Sequence, residues 1–309
     1  MSNEAWSLPP QEPPPDATLA WLEHTIGGTV RSVEALQGGL SSAVHRVDLD
    51  GSPHDTVVVR RMTQTSWLER EPEVPHRETS ILRALRNIDI GVATPTLVAA
   101  DPGADETDVP TVVMTYVPGR PEIDPDDPVD WAERLAACLA RLHNTPEPAG
   151  LTDFRRWDDP NRPPPEWVAD TDAWDEARAR VDGPLPEHPW QFVHRDFHPN
   201  NIHWERGEIV GVVDWLEAVR GPRAVDITHC RWNLAILHSD EIADLFLDHY
   251  RQLTGYCEDV VVYDLATVLS VGPGPIPTFA WNVLGRSDLT PDVVAARCEN
   301  WLAHLLASG

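Results

Sequence analysis

Residues 192–218 read FVHRDFHPNNIHWERGEIVGVVDWLEA. Three oxygen-bearing side chains stand in it at fixed offsets, Asp196, Asn201 and Asp214. His-Pro-Asn-Asn at 198–201 disfavours regular structure and suits a tight loop. The apolar run Ile209-Val210-Gly211-Val212-Val213 reads as a short buried strand that ends by presenting Asp214. Phosphoryl transfer from ATP uses groups of this kind. One carboxylate orients the acceptor hydroxyl and takes its proton. An amide oxygen and a second carboxylate hold Mg²⁺, a hard cation that prefers oxygen ligands.

HRDFHPNN resembles the catalytic loop of the aminoglycoside phosphotransferase family, small-molecule relatives of protein kinases. VVDWLEA resembles that family's metal-binding segment, and GPRAVDITH the segment after it. A lone H-x-D would carry little weight, but the composite spacing is specific. The resemblance runs from about residue 25 to the C-terminus and implies Asp196 as the catalytic residue, with Asn201 and Asp214 as Mg²⁺ ligands. It makes Asp226 a structural residue that bonds the catalytic-loop backbone. His194 reads as a support of the same loop through hydrogen bonds, and Arg195 as a structural ion-pair partner. A competing reading gathers His194, His198 and His203 around Asp196 as a hydrolase metal cluster of the H-x-D-x-H kind, but it leaves Asn201 and Asp214 idle.

Ahead of that stretch, Ala17 to Thr25 reads as a short helix, and Thr29–Leu36, Ala43–Leu49 and Thr56–Met62 as strands. The turn between the first two strands carries Gly38, Gly39, Ser41 and Ser42, whose backbone N–H groups can lie over ATP phosphates. Val58-Val59-Arg60 falls where kinases carry Ala-x-Lys. Period-two alternation puts Val58 and Arg60 on one face, toward adenine and the α/β-phosphates, and turns Arg61 to solvent. Arginine in place of lysine is a departure from the kinase pattern. A helix is expected over Glu71–Asn87, with Glu78 as the partner of Arg60. Thr94–Ala99 and Thr111–Tyr116 follow as strands. Met114, Thr115 and Val117 lie in a segment that resembles the kinase hinge, where backbone groups would bond adenine.

Further helices are expected over Pro128–Asn144, Asp226–His238, Ile242–Leu253, Val260–Val271 and Pro291–Ala307. Between residues 145 and 190, Trp157, Trp167, Trp174 and Trp190 read as packing anchors, with a substrate wall as the alternative. Only twelve residues separate Asp214 from Asp226. That leaves no room for a peptide-docking platform and favours a small-molecule acceptor.

The chain has 309 residues, 41% of them apolar, which is enough for about two units sharing a cleft. Its net charge of −26 disfavours nucleic acid and anionic lipid as partners. It contains no lysine, so every fixed positive charge is arginine. Four scattered cysteines, without C-x-x-C, read as thiols in a reducing cytoplasm. The N-terminus lacks the pattern of a signal peptide, and Pro273, Pro275 and Pro277 interrupt the most apolar late region, so no membrane span is expected.

The expected fold is therefore α+β and bilobal, of the protein-kinase-like kind. A loosely ordered lead occupies residues 1–24, a nucleotide-binding unit with a small antiparallel sheet and one helix 25–117, and a mainly helical catalytic and acceptor-binding unit 118–309. The expected activity is transfer of a phosphoryl group from ATP, with Mg²⁺, to a hydroxyl of a small molecule. An acidic lobe would suit a cationic acceptor. A nucleotide-binding regulatory protein without turnover, and the metal-dependent hydrolase, are the alternatives.

Overall fold

The computed structural model describes residues 11–36, 42–156, 163–271 and 278–308. Its first half comprises α1 (Asp16–Ile26), β1 (Thr29–Ala35), β2 (Ala43–Asp50), β3 (Thr56–Arg61), α2 (Thr65–Arg70), α3 (Val74–Leu85), β4 (Leu97–Asp101) and β5 (Thr111–Thr115). The five strands form one antiparallel sheet in the order β1-β2-β3-β5-β4. Strict alternation in β2 buries Ala43, His45, Val47 and Leu49 and turns the intervening residues outward.

The second half comprises β6 (Arg120–Pro121), α4 (Pro128–His143), α5 (Thr171–Val181), β7 (Trp190–Val193), β8 (Ile202–Glu205), β9 (Glu208–Val212), β10 (Val219–Pro222), α6 (Ala224–Leu237), α7 (Asp240–Thr254), α8 (Val261–Ser270), α9 (Phe279–Asn282) and α10 (Pro291–Ser308). Asp127 caps α4 by accepting from the Val129 and Asp130 N–H groups at 3.1 Å, and Pro128 occupies the first turn, where its missing N–H costs nothing. The apolar stripe that follows, Trp131, Leu135, Cys138, Leu139 and Leu142, is buried. With α5 to α10, and with Ile81, Leu82 and Leu85 of α3 and Val112 and Met114 of β5, it forms the large core, while Trp21, Leu22, Val47, Leu49, Val57 and Val59 form a smaller one at the sheet. This is the expected α+β arrangement. No helix among the described residues is long and apolar enough to cross a membrane.

Four expectations need correction. The lead does not stay loose to residue 24: α1 begins at Asp16 and buries Trp21 and Leu22 at the sheet. The helix expected over Glu71–Asn87 is shorter, α3 over Val74–Leu85, with Pro75 in its first turn, where proline is tolerated, and the short α2 ahead of it lies outside the expected range. Arg61 does not reach solvent. It is buried, pairs with Asp108 and donates to the Glu12 carbonyl at 3.2 Å, because the lead and the β4–β5 connection cover that face. The tryptophans of 145–190 do not all anchor the core: Trp174 on α5 is buried and meets Trp167 edge-on, but Trp190 is exposed, and Trp157 lies outside the described residues.

The two halves meet at the hinge. Ala93 donates to the Val210 carbonyl and accepts from the Val212 N–H, both at 2.9 Å, which ties the approach to β4 onto β9. Gly119 sits beside this join at φ 86°, a left-handed conformation that strains side-chain-bearing residues, and a Cβ there would come within 2.8 Å of the Trp204 carbonyl oxygen and of Val210. Gly119→Ala is therefore expected to destabilise the protein by about 1–3 kcal/mol, which calorimetry would read as a Tm lowered by several degrees.

Candidate active site

The loop at 194–201 is built around Asp226. This side chain, at the start of α6, is fully buried, and it accepts from the His194 N–H at 2.8 Å and the Arg195 N–H at 2.5 Å. Its Oδ2 also meets His143 Nε2 at 3.0 Å, and His143 Nδ1 meets the Tyr250 hydroxyl at 2.7 Å. Burial lowers the His143 pKa, and a neutral ring donating from Nε2 and accepting at Nδ1 satisfies both contacts. Arg195 sits at φ 68°, so the Asp226 bond holds a backbone conformation that an unsupported loop would resist.

His194 ties this loop to the strand that delivers Asp214. Its Nε2 donates to the Val213 carbonyl at 3.0 Å, its Nδ1 accepts from the Asp196 N–H at 3.3 Å, and its ring lies 4.4 Å from that of Trp215. Asn201 makes a second tie. Its carbonyl oxygen on the backbone accepts from the Val213 N–H at 2.9 Å, and its side-chain amide nitrogen donates to the Asp196 carbonyl and carboxylate, each at 2.9 Å. The amide oxygen of Asn201 is thereby left as the atom free to meet a cation. Asp214 follows β9 at φ 60°, a second strained position in the same site.

Arg60 joins the sheet to both of these parts. Its Nη1 lies 2.9 Å from Glu78 Oε1 on α3 and 2.9 Å from Asp214 Oδ1, and its Nε donates to Ser42 Oγ at 3.2 Å. Burial works against the guanidinium's charge, and the two carboxylates more than offset it, raising its pKa further above the normal range. Burial pushes Glu78 up while Arg60 pulls it back.

Val58 lies on the same strand face as Arg60 and pairs with Met114 across β5. Thr115 donates from its backbone to Thr96 at 3.0 Å, so its N–H is committed within the sheet. The Val117 N–H has no backbone partner among the described residues, and the Val117 and Pro118 carbonyls face His203 Nδ1 at 3.3 and 3.0 Å. Gly38, Gly39 and Ser41 lie outside the described residues.

The hydrolase cluster is not assembled as the sequence pattern would have it. His194 is spent on Val213 and His203 on the hinge, and only His198 approaches Asp196, at 3.5 Å. A residue that the motif does not reveal takes the remaining place: His229 Nε2 lies 3.2 Å from the same Asp196 oxygen. Its one available signal is its position three residues after Asp226 on α6, which puts both on one helix face. Burial works against the charge of Asp196, and the imidazoles of His198 and His229 outweigh it, holding the carboxyl well below the usual range. Arg195 is held in place by the Arg155 carbonyl at 2.5 Å, by Glu217 at 3.6 Å and by the Phe154 ring, 5.2 Å away. A small cavity opens beside His229, lined by Phe154, Val225, Thr228, Tyr263, Thr267 and Ser270 among others.

The small sheet, the helical second half and the loop between them define a kinase-like α+β scaffold. A model of the phosphotransferase enzyme family matches residues 32–260, and the chain belongs to that family. Its sequence is 32% identical over 168 residues to viomycin phosphotransferase of Streptomyces vinaceus, a stretch covering 48% of this chain and 58% of that protein. The match thus spans little more than half the length of this curated relative. Among solved structures, a putative aminoglycoside phosphotransferase from Ralstonia eutropha superposes with a TM-score of 0.62 at 18% identity, covering 94% of this chain and 98% of that one. Spectinomycin phosphotransferase, in complex with ADP and spectinomycin, superposes with a TM-score of 0.60 at 11% identity, covering 94% and 97%. At these identities the likenesses establish the shared fold.

Removing Asp226 tests the loop's foundation. Asp226→Ala leaves two buried N–H groups and His143 without an acceptor and is expected to cost about 3–5 kcal/mol. A lower denaturant midpoint with an unchanged slope would register this loss.

Proposed function

We propose that this phosphotransferase moves the γ-phosphoryl group of Mg-ATP to a hydroxyl of a small molecule. The observation that carries the reading is the junction at Arg60, where a buried guanidinium touches both the α3 carboxylate and Asp214, next to the loop that bears Asp196 and Asn201. The donor set fits magnesium. Asp214 offers a carboxylate that is 40% exposed, and Asn201 an amide oxygen whose own nitrogen is already bonded. Those two residues would hold Mg²⁺, which when bound neutralises charge on the transferring phosphoryl group.

On this reading the nucleotide lies between residues 25–117 and residues 118–309. Arg60, fixed by Glu78, steadies its phosphates, and Val58, Met114 and the Thr115–Val117 backbone contact the base. Ser42, bonded to Arg60, belongs to the same wall. Asp196 stays ionised because two imidazoles flank it, so it can orient the acceptor hydroxyl and accept its proton. His194 and Asp226 hold the loop and touch no reactant. The acceptor enters beside His229, where the cavity lining offers rings and hydroxyls. Viomycin, named for the relative above, and the antibiotics of the structural neighbours are the first acceptors to try, together with hydroxylated metabolites.

Asp196→Asn should lower turnover by about 10²–10⁴-fold and leave Mg-ATP affinity within a few-fold, as read by ADP release and calorimetry on the same preparations. Asp214→Ala should instead remove the metal dependence of nucleotide binding. Near wild-type turnover in the first variant would refute the role of Asp196.

Arg60 gives a graded test. Arg60→Lys should keep part of the activity, because a cation still faces the phosphates, and Arg60→Ala should keep much less. Equal activity in all three proteins would separate Arg60 from the phosphates. A wild-type protein that binds Mg-ATP and turns over no acceptor would instead support a regulatory role.

A further inference from the structure

Two histidines reach Asp196 from separate elements. His198 comes from the loop itself, with Nε2 3.5 Å from Asp196 Oδ1, and His229 comes from α6, with Nε2 3.2 Å from the same oxygen. The three candidate donor atoms lie within 4.8 Å of one another, and the two rings stand 5.3 Å apart at 70°. All three side chains are partly open to solvent, at 30%, 16% and 22%. We propose that Asp196, His198 and His229 form a site for a borderline divalent transition metal, with Zn²⁺ as the best fit.

The donor chemistry selects the metal. Two imidazole nitrogens and one carboxylate oxygen, with a fourth position left open, are the ligand set of zinc sites with three protein ligands, whereas Mg²⁺ prefers oxygen alone in octahedral geometry. Tetrahedral coordination at about 2.0–2.1 Å places neighbouring donors roughly 3.3–3.4 Å apart. The two measured separations from Asp196 Oδ1, 3.2 and 3.5 Å, bracket that value.

The surroundings are already ordered for it. Asn201 donates to Asp196 Oδ2 at 2.9 Å, which fixes the carboxylate and leaves Oδ1 toward the histidines. The same amide nitrogen lies 3.1 Å from His198 Nε2, which keeps that ring beside the carboxylate. His229 rides on α6 one turn beyond Asp226, and Asp226 bonds the loop that carries the other two ligands. Both sides of the site are thus referred to one buried anchor. This set differs from Asn201 and Asp214, the pair proposed for Mg²⁺.

The site also adjoins the small cavity that His229 lines. A metal there would occupy the oxygen of Asp196 that faces the acceptor hydroxyl. Zn²⁺ should therefore inhibit phosphoryl transfer by competing with the acceptor and not with ATP. That consequence rests on the phosphotransferase reading, whereas the metal site itself does not.

The test measures binding first, on the full chain without nucleotide at neutral pH. Isothermal titration with Zn²⁺ and visible absorption with Co²⁺ as a spectroscopic substitute should both give one equivalent per chain, and Mg²⁺ should give neither signal. His198→Ala and His229→Ala should each weaken Zn²⁺ at least about tenfold, with His229→Gln as the conservative alternative should a variant fold poorly. His249→Ala, in the acidic groove between α4 and α7, should leave the titration unchanged. Absence of stoichiometric Zn²⁺ or Co²⁺ binding overturns the site, and so does binding that survives both His198→Ala and His229→Ala. Zn²⁺ binding lost in those variants, in a protein that phosphorylates no acceptor, would keep the site and count against the phosphotransferase reading. Turnover with no Zn²⁺ binding would do the reverse.

Discussion

A single buried carboxylate sets the geometry of the loop at 194–201. Asp226 has no contact with solvent, so its charge is tolerable only if hydrogen bonds replace water. Two loop N–H groups and the His143–Tyr250 pair supply them. Each partner gains in turn: Arg195 keeps a left-handed backbone, His194 is fixed so that its ring reaches Val213, and α4 and α7 are connected to α6 through His143 and Tyr250. The large core and the loop are therefore not independent. Packing that positions α6 also positions Asp196, and a change deep in the helices can be felt at a carboxylate on the surface of the cleft.

A second interaction carries that order across to the sheet. β3 delivers Arg60 with its guanidinium buried, and the only route to burying it is to pair it. Glu78 on α3 and Asp214 after β9 do so from opposite sides. The sheet, the α3 helix and the segment after β9 thus converge on one nitrogen, while Ala93 and the Val117 and Pro118 carbonyls on His203 make the covalent crossing stiff.

Much of this was legible in the sequence because the signals were local. The 196, 201 and 214 spacing needs only a loop and a strand, and Arg60 and Glu78 follow from period-two and helical faces. Where the reading failed, the cause was tertiary. Alternation turned Arg61 away from the Arg60 face correctly, but it cannot say that the lead and Asp108 cover the other side. The strands β7, β8 and β10 have four residues each, too few for a periodic signal, and β10 contains Gly221 and Pro222. His229 lies 33 positions after Asp196 and meets it only because Asp226 brings α6 against the loop. Helix spacing alone could not have told it from an ordinary buried or surface histidine.

The absence of lysine gives the Arg60 junction a particular character. An ammonium is a compact charge on a flexible stem, and it can move between partners with little change elsewhere. A guanidinium is planar, and here its edges are already assigned, Nη1 to Glu78 and Asp214 and Nε to Ser42. On the proposed reading, Asp214 would hold Mg²⁺ once nucleotide is bound, and the Arg60–Asp214 contact would be the one to give way. Glu78 is almost wholly buried and Asp214 is 40% exposed, so the exposed partner is also the less costly one to release. Nucleotide phosphates would then take the place that Asp214 vacates on Arg60, keeping the buried cation compensated throughout. The arginine does not merely replace a lysine in that scheme. Its bond to Asp214 holds the metal ligand near the cleft before the metal is present, at the cost of one ion pair to be exchanged on binding.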